Sequence, residues 1–240
     1  MTAVKKILGE CCMKRFILSV FLVILFGFFG CNTNREDPQS ITPANISDGI
    51  ELSVEPGEYW TGKMKIFIFS MDRTPQMAAW IENDHGHYLS TITVTNKGAK
   101  KSWIFGPKEG RPEALPVWDH KIQKGSAQID AVTSATPTGA VDVHIDNSSL
   151  KAGKEYNVYL EINHSFDYND TWPERENDVN GQPSLIYHAK FIAGKSGRIK
   201  LNPIGQGSAD GSDGNIVPGF AGITTALAII KDAYIIIDQK

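Results

Sequence analysis

Cysteine is nearly absent from this chain, and the three present, Cys11, Cys12 and Cys31, all fall in the first 31 of 240 residues. The remainder therefore has no disulfide framework, no thiolate metal site and no cysteine nucleophile. A body of roughly 190 residues is long enough to hold together as one domain by core burial alone. Long apolar runs are equally scarce. The single one, Phe16 to Phe29, is shorter than the roughly 20 residues a spanning helix needs. Zinc-protease patterns, a P-loop lysine and a nucleophile elbow are missing too, which removes those chemistries from first consideration. Nor is there an excess of positive charge, because 24 basic residues stand against 27 acidic ones.

What the N-terminus does contain is a targeting segment. From Met13 the chain reads a basic start at Lys14 and Arg15, the apolar run, then Gly30 and Cys31. That is a signal-peptide pattern, and Met13 makes a better translation start than Met1. The Gly-Cys ending resembles the bacterial lipoprotein signal, whose cysteine becomes the lipidated first residue. The resemblance implies removal of residues 1–30, lipidation at Cys31 and an extracytoplasmic, lipid-anchored protein of a bacterial cell envelope. Residues 1–30 carry Lys5, Lys6, Lys14 and Arg15 against Glu10, so the mature chain is six charges negative. This balance argues against nucleic acid and against electrostatic adhesion to anionic lipid. Residues 31–48, polar and holding Pro38 and Pro43, read as a tether.

From Ile50 the pattern is short alternating runs with turn residues between them. They are 50–55, 64–71, 77–83, 88–96, 141–146, 156–163 and 185–193, with closing runs at Thr224–Ile230 and Ala233–Ile237. Their period is two, not 3.6. Turns are expected at 96–98, 152–154 and 194–197. The expectation is an all-β, immunoglobulin-like antiparallel sandwich over 49–240, with no second domain. Two long irregular segments, 100–139 and 165–183, are the natural places for function.

The first of these carries DAVTSATPTG, Asp130 to Gly139. The sequence resembles the acceptor of covalently attached flavin in subunits of sodium-pumping and related respiratory complexes. That resemblance implies Asp130 as the acidic residue, Thr133 as the first hydroxyl, Ala135 as the small residue and Thr136 as the threonine that receives flavin mononucleotide (FMN). Ser134 stands where the acceptor pattern has glycine, a residue with more backbone freedom. Pro137 restricts Thr136 toward extended conformations. The plain alternative is a polar turn leading into the strand at 141–146. Trp103 and Trp118 lie in the same segment and offer indole faces to an isoalloxazine ring, or else plug the open end of the sandwich.

Dispersed segments add a second resemblance. MAAWIENDHGHYLSTITVTNKG, LPVWDHK, IDAVTSATPTG, YNVYLEINHSFDYN and GQPSLIYHAKF together resemble a family of uncharacterised predicted periplasmic proteins. Its members are often encoded near flavin transferases and membrane proteins with peptidase-inhibitor-like domains. This implies a flavin transferase or a membrane redox protein as partner, and a redox carrier rather than an enzyme. A non-redox binding or structural sandwich, recognising a protein or small ligand through its loops, is the competing reading.

Other ligand signals are thinner. His85 and His87 alternate, as two imidazoles on one strand face do, but Asn83 and Gly86 beside them signal a hairpin tip. The acid-rich stretch 166–181 and the loop 208–215 hold oxygen donors that could serve calcium, and the second only loosely echoes a calcium loop and lacks its closing glutamate. No metal is assigned to either.

Overall fold

The computed structural model describes residues 49–66, 69–100, 111–125, 132–134, 139–177 and 179–238. All belong to one compact unit, Ile41–Lys240. The signal segment, Cys31 and the tether lie outside the described residues, as do Trp103, Asp130, Ala135, Thr136 and Pro137.

In chain order the strands are β1 (Gly49–Pro56), β2 (Gly62–Ile66), β3 (Phe69–Arg73), β4 (Gln76–Asn83), β5 (Tyr88–Thr95), β6 (Val132–Ser134), β7 (Val141–His144), β8 (Glu155–Asn163), β9 (Leu185–Ile192), β10 (Gly197–Lys200), β11 (Asn202–Gln206), β12 (Val217–Pro218) and β13 (Ile230–Asp238). They form a four-stranded sheet, β10-β13-β1-β7, and a seven-stranded sheet, β12-β11-β9-β8-β4-β5-β6, with β2 and β3 as a separate pair. Strand pairs are antiparallel apart from β5 and β6, which run parallel. The all-β sandwich expected from the period-two runs is thus what the chain forms. Two packed, largely antiparallel sheets are the part of the expected immunoglobulin-like sandwich seen among the described residues.

The alternation explains the packing. In β1, Ile50, Leu52 and Val54 point inward opposite Ile237, Ile235 and Ala233 of β13. Facing them are Met77, Ala79 and Ile81 of β4, Val158, Leu160 and Ile162 of β8, and Leu185 and Phe191 of β9, in one core. Each large side chain so buried contributes about 2–3 kcal/mol relative to exposure. The seven-stranded sheet is covered on its other face as well. Ala78, Trp80, Val94 and Ile186 pack there beneath Leu115, Val117 and Trp118.

That second layer corrects the sequence reading. The stretch expected to be irregular contains a 3-10 turn, Pro112–Ala114, and helix α2 (Pro116–Gly125), preceded by a short helix α1 (Asn96–Lys100) where a hairpin turn was expected. Proline opens α2, a position where its missing N–H costs nothing and its fixed φ suits a helix. The run 64–71 is likewise not one strand: Ile66 pairs with Phe69, so β2 and β3 fold against each other. No glycine or proline marks that reversal, so periodicity alone reads straight through it. At the C-terminal end, Thr225–Ala228 is a 3-10 turn and the strand begins at Ile230.

Candidate functional site

One end of the seven-stranded sheet gathers the groups that carry chemistry. Because β4 and β8 pair with Gln76 opposite Asn163, and β5 and β6 with Thr95 beside Ser134, four strand ends and the loop 164–184 meet there. Of the acceptor-like element, Val132, Thr133 and Ser134 form β6, paired with Thr93, Val94 and Thr95. Among the described strands, β6 is the last at its margin of the sheet.

Beside it, a carboxylate buried in the sheet holds α2. Glu161 of β8 is fully buried. It accepts Val117 N–H at 3.2 Å, Trp118 N–H at 2.8 Å and Ser184 O–H at 2.7 Å. Two of the N–H groups that this helix start leaves unpaired are thereby satisfied by a residue 43 or more positions away in sequence. Burial pushes the Glu161 carboxyl up to about 7, against the pull of these three donors, and the neighbouring Asp119 adds to the rise. Gly207 passes so close that a Cβ there would lie 2.5 Å from Ser184 Oγ and 2.7 Å from Pro116 Cγ.

Trp118 is 2% exposed, and its indole N–H donates to Thr91 Oγ1 at 2.9 Å. It is a core residue of the covering layer. A ring could reach it only by displacing the side chains around it. Residues that sequence reasoning missed lie on the same sheet face. Trp80 stacks on Tyr159 with centroids 5.2 Å apart, and His188 lies tilted against Tyr159 at 4.6 Å, across three adjacent strands. Glu82 links them to α2, accepting from Trp80 Nε1 and Lys121 Nζ, each at 2.8 Å.

The loop after β8 is locked by its own polar groups. Phe166 adopts a left-handed φ of 59°, unusual for a bulky residue. Arg73 reaches across to donate to the carbonyls of Ser165 and Phe166. Asp167 accepts from Gln182 Nε2 at 2.9 Å and from Thr225 Oγ1 at 2.8 Å, and burial raises its pKa. Gln182 in turn accepts Thr224 N–H at 2.7 Å. Arg111 donates to Ser165 Oγ and to Glu113, both at 2.6 Å. Gly181 holds φ 75° with its Cβ position 2.5 Å from the Asp167 carbonyl oxygen, an approach only glycine permits. His164 is buried with its Nε2–H donated to the Trp60 carbonyl at 2.9 Å, and burial, aided by Arg73, lowers its pKa to about 4. That bond ties the imidazole to the segment before β2, while its Nδ1 is buried with no hydrogen-bond partner among the described residues.

The other ligand signals fall elsewhere or serve themselves. His85 and His87 are exposed on the β4–β5 turn at the opposite end of the sheet, their rings 6.3 Å apart, and Asn83 Oδ1 accepts both backbone N–H groups. In the 208–215 loop, Asp210 accepts from Ser208 Oγ and Ser212 N–H, which hold its carboxyl down at about 2. No family model matches the chain, and no curated protein or solved structure matches it.

Proposed function

We propose that this chain is an extracytoplasmic, lipid-anchored carrier in a flavin-linked electron-transfer system, with FMN joined to Thr136. The observation that carries the reading is the position of β6: among the described strands it is last at its sheet margin, and its described pairs include Ser134, two residues before Thr136 in sequence. A modifying enzyme must draw such an element into its own active site, and the end of a marginal strand is where backbone can be lent without dismantling a core. The step is phosphoryl transfer. Thr136 Oγ forms a bond to the FMN phosphorus of flavin adenine dinucleotide, the pyrophosphate P–O bond breaks, adenosine monophosphate leaves, and the transferase takes the hydroxyl proton. This chain supplies the hydroxyl and a rigid support; a flavin transferase or membrane redox protein is the partner.

The buried position of Trp118 favours a second reading, a non-redox binding sandwich that presents its locked 164–184 loop to a protein or small ligand. Co-expression with a flavin transferase separates the two. An intact mass increased by one FMN unit, lost in Thr136→Ala and kept in Thr133→Ala, supports the carrier; an unmodified chain in every case leaves the binding module.

A further inference from the structure

Asp167, Gln182 and Thr225 bring a carboxylate, a primary amide and a hydroxyl together. Asp167 is 6% exposed and Gln182 1%. Thr225 Oγ1 lies 2.6 Å from Gln182 Nε2, so the amide carbon is one bond beyond that contact. The same hydroxyl faces both oxygens of Asp167, at 2.8 Å and 2.9 Å. Gln182 Nε2 also donates to Asp167 Oδ2 at 2.9 Å. One carboxylate therefore touches both the hydroxyl proton and the amide nitrogen. On the other side of the amide, Gln182 Oε1 accepts Thr224 N–H at 2.7 Å and Thr224 O–H at 3.3 Å. Asn169 Nδ2 donates to Thr224 Oγ1 at 3.0 Å, which leaves that hydroxyl's own hydrogen for Gln182. A nucleophile, a base within reach of nucleophile and leaving group, and two donors on the carbonyl oxygen are the parts of an acyl transfer.

The backbone holds these parts in place. Phe166 and Gly181, immediately before Asp167 and Gln182, both have left-handed φ, 59° and 75°. Gln182 N–H donates to the Asp167 carbonyl at 2.8 Å, clamping the two segments together. Strain of the kind seen at Phe166 persists where the surroundings over-determine a geometry, and it clusters at working sites. Burial raises the Asp167 carboxyl, while Thr225 and the Arg73 guanidinium at 3.7 Å draw it back, which suits a group that takes a proton and returns it.

We propose that Thr225 and Gln182 become joined by an ester bond that the chain forms by itself, with Asp167 as the base. Rotation about the last torsion of Gln182, a soft one, turns the amide face to the hydroxyl. Asp167 takes the hydroxyl proton as Thr225 Oγ1 bonds to the side-chain carbonyl carbon, and the charge that develops on Oε1 meets the Thr224 donors. Asp167 then passes the proton to Nε2, the C–N bond breaks, and ammonia leaves past the exposed Thr224. Hydroxyl and amide become ester and ammonia, with no co-reactant. Gln182 leads into β9 of the seven-stranded sheet and Thr225 into β13 of the four-stranded one, so the bond staples the two sheets. It closes a loop of 43 residues, the closure a disulfide gives elsewhere, in a chain whose last cysteine is Cys31.

The test digests the full chain with trypsin under denaturing conditions and maps the peptides by mass. Cleavage after Arg175, Lys190, Lys200 and Lys231 puts Gln182 in residues 176–190 and Thr225 in 201–231. The expected product holds both peptides and is lighter than their sum by one ammonia. Mild alkali splits it and leaves the Gln182 side chain as the acid. Thr225→Val gives two separate peptides, Thr225→Ser keeps the link, and Asp167→Asn forms it at least about a hundredfold more slowly, with melting curves showing each variant folded. Separate peptides from the folded parent overturn the proposal, as does ammonia lost within 176–190 alone, at Asn180–Gly181. A link that survives Thr225→Val overturns it equally.

Discussion

Replacing Glu161 with glutamine tests whether the carboxylate beneath α2 is a buried charge at neutral pH. Its carboxyl is raised from 4.5 to about 7 by burial. A folded-state value above the unfolded one means that the stability associated with the neutral form is complete below pH about 4.5 and is lost as pH rises through about 7. At about 1.4 kcal/mol per unit the loss is about 3 kcal/mol. His164 has the opposite sign. Its folded value of about 4, against 6.5, adds stability as pH rises over nearly the same range. The two slopes oppose each other in the parent protein, so the informative quantity is the difference between Glu161→Gln and parent at each pH. Glutamine keeps one acceptor oxygen and loses the other, which costs about 1 kcal/mol at every pH. The variant is therefore slightly less stable than the parent at pH 5 and about 2 kcal/mol more stable at pH 8. For a domain of this size that is a gain of about 4–8 °C in melting temperature. Urea unfolding at half-unit pH steps reads the difference directly. A difference curve flat from pH 5 to 8, or a variant that loses ground as pH rises, refutes the assignment of a buried, raised carboxyl to Glu161.

Two further outcomes probe the same end of the sheet. Trp118→Ala removes a side chain that fills the layer between α2 and the sheet and lowers unfolding free energy by about 3–5 kcal/mol; a change below 1 kcal/mol in urea unfolding would mean that the indole sits on the surface. Gly181→Ala places a Cβ against the Asp167 backbone in a left-handed conformation and costs about 2 kcal/mol or more, seen as faster proteolysis within 165–183; cleavage at the parental rate would show that the loop does not depend on this approach.

The strands whose alternation is clean were legible because one face of each meets a core and the other meets solvent or the second layer, as in β1 and β8. The loop 164–184 was legible as a place of interest, though not as a hydrogen-bonded body. Its Asp167, Gln182 and Thr225 are 15 and 43 residues apart along the chain, and nothing in their local sequence pairs them. Glu161 illustrates the limit more sharply. In YNVYLEIN it occupies an alternating polar position, which reads as solvent-facing, and only the arrival of α2 turns that face into an interior. The helix that carries Trp118 was missed for the same reason, since a tryptophan in a proline-rich segment looks loop-borne until its helix docks.

By itself the sequence determined the period-two runs and hence an all-β sandwich, and the confinement of cysteine to the first 31 residues. These are local properties, set by residue type and spacing. Tertiary structure alone decided that β6 lies at the margin of the described sheet, that a helix covers the sheet's outer face, and that a carboxylate from the sheet caps that helix. Each of those depends on which distant segments meet, and a one-dimensional pattern of side chains does not specify the partner.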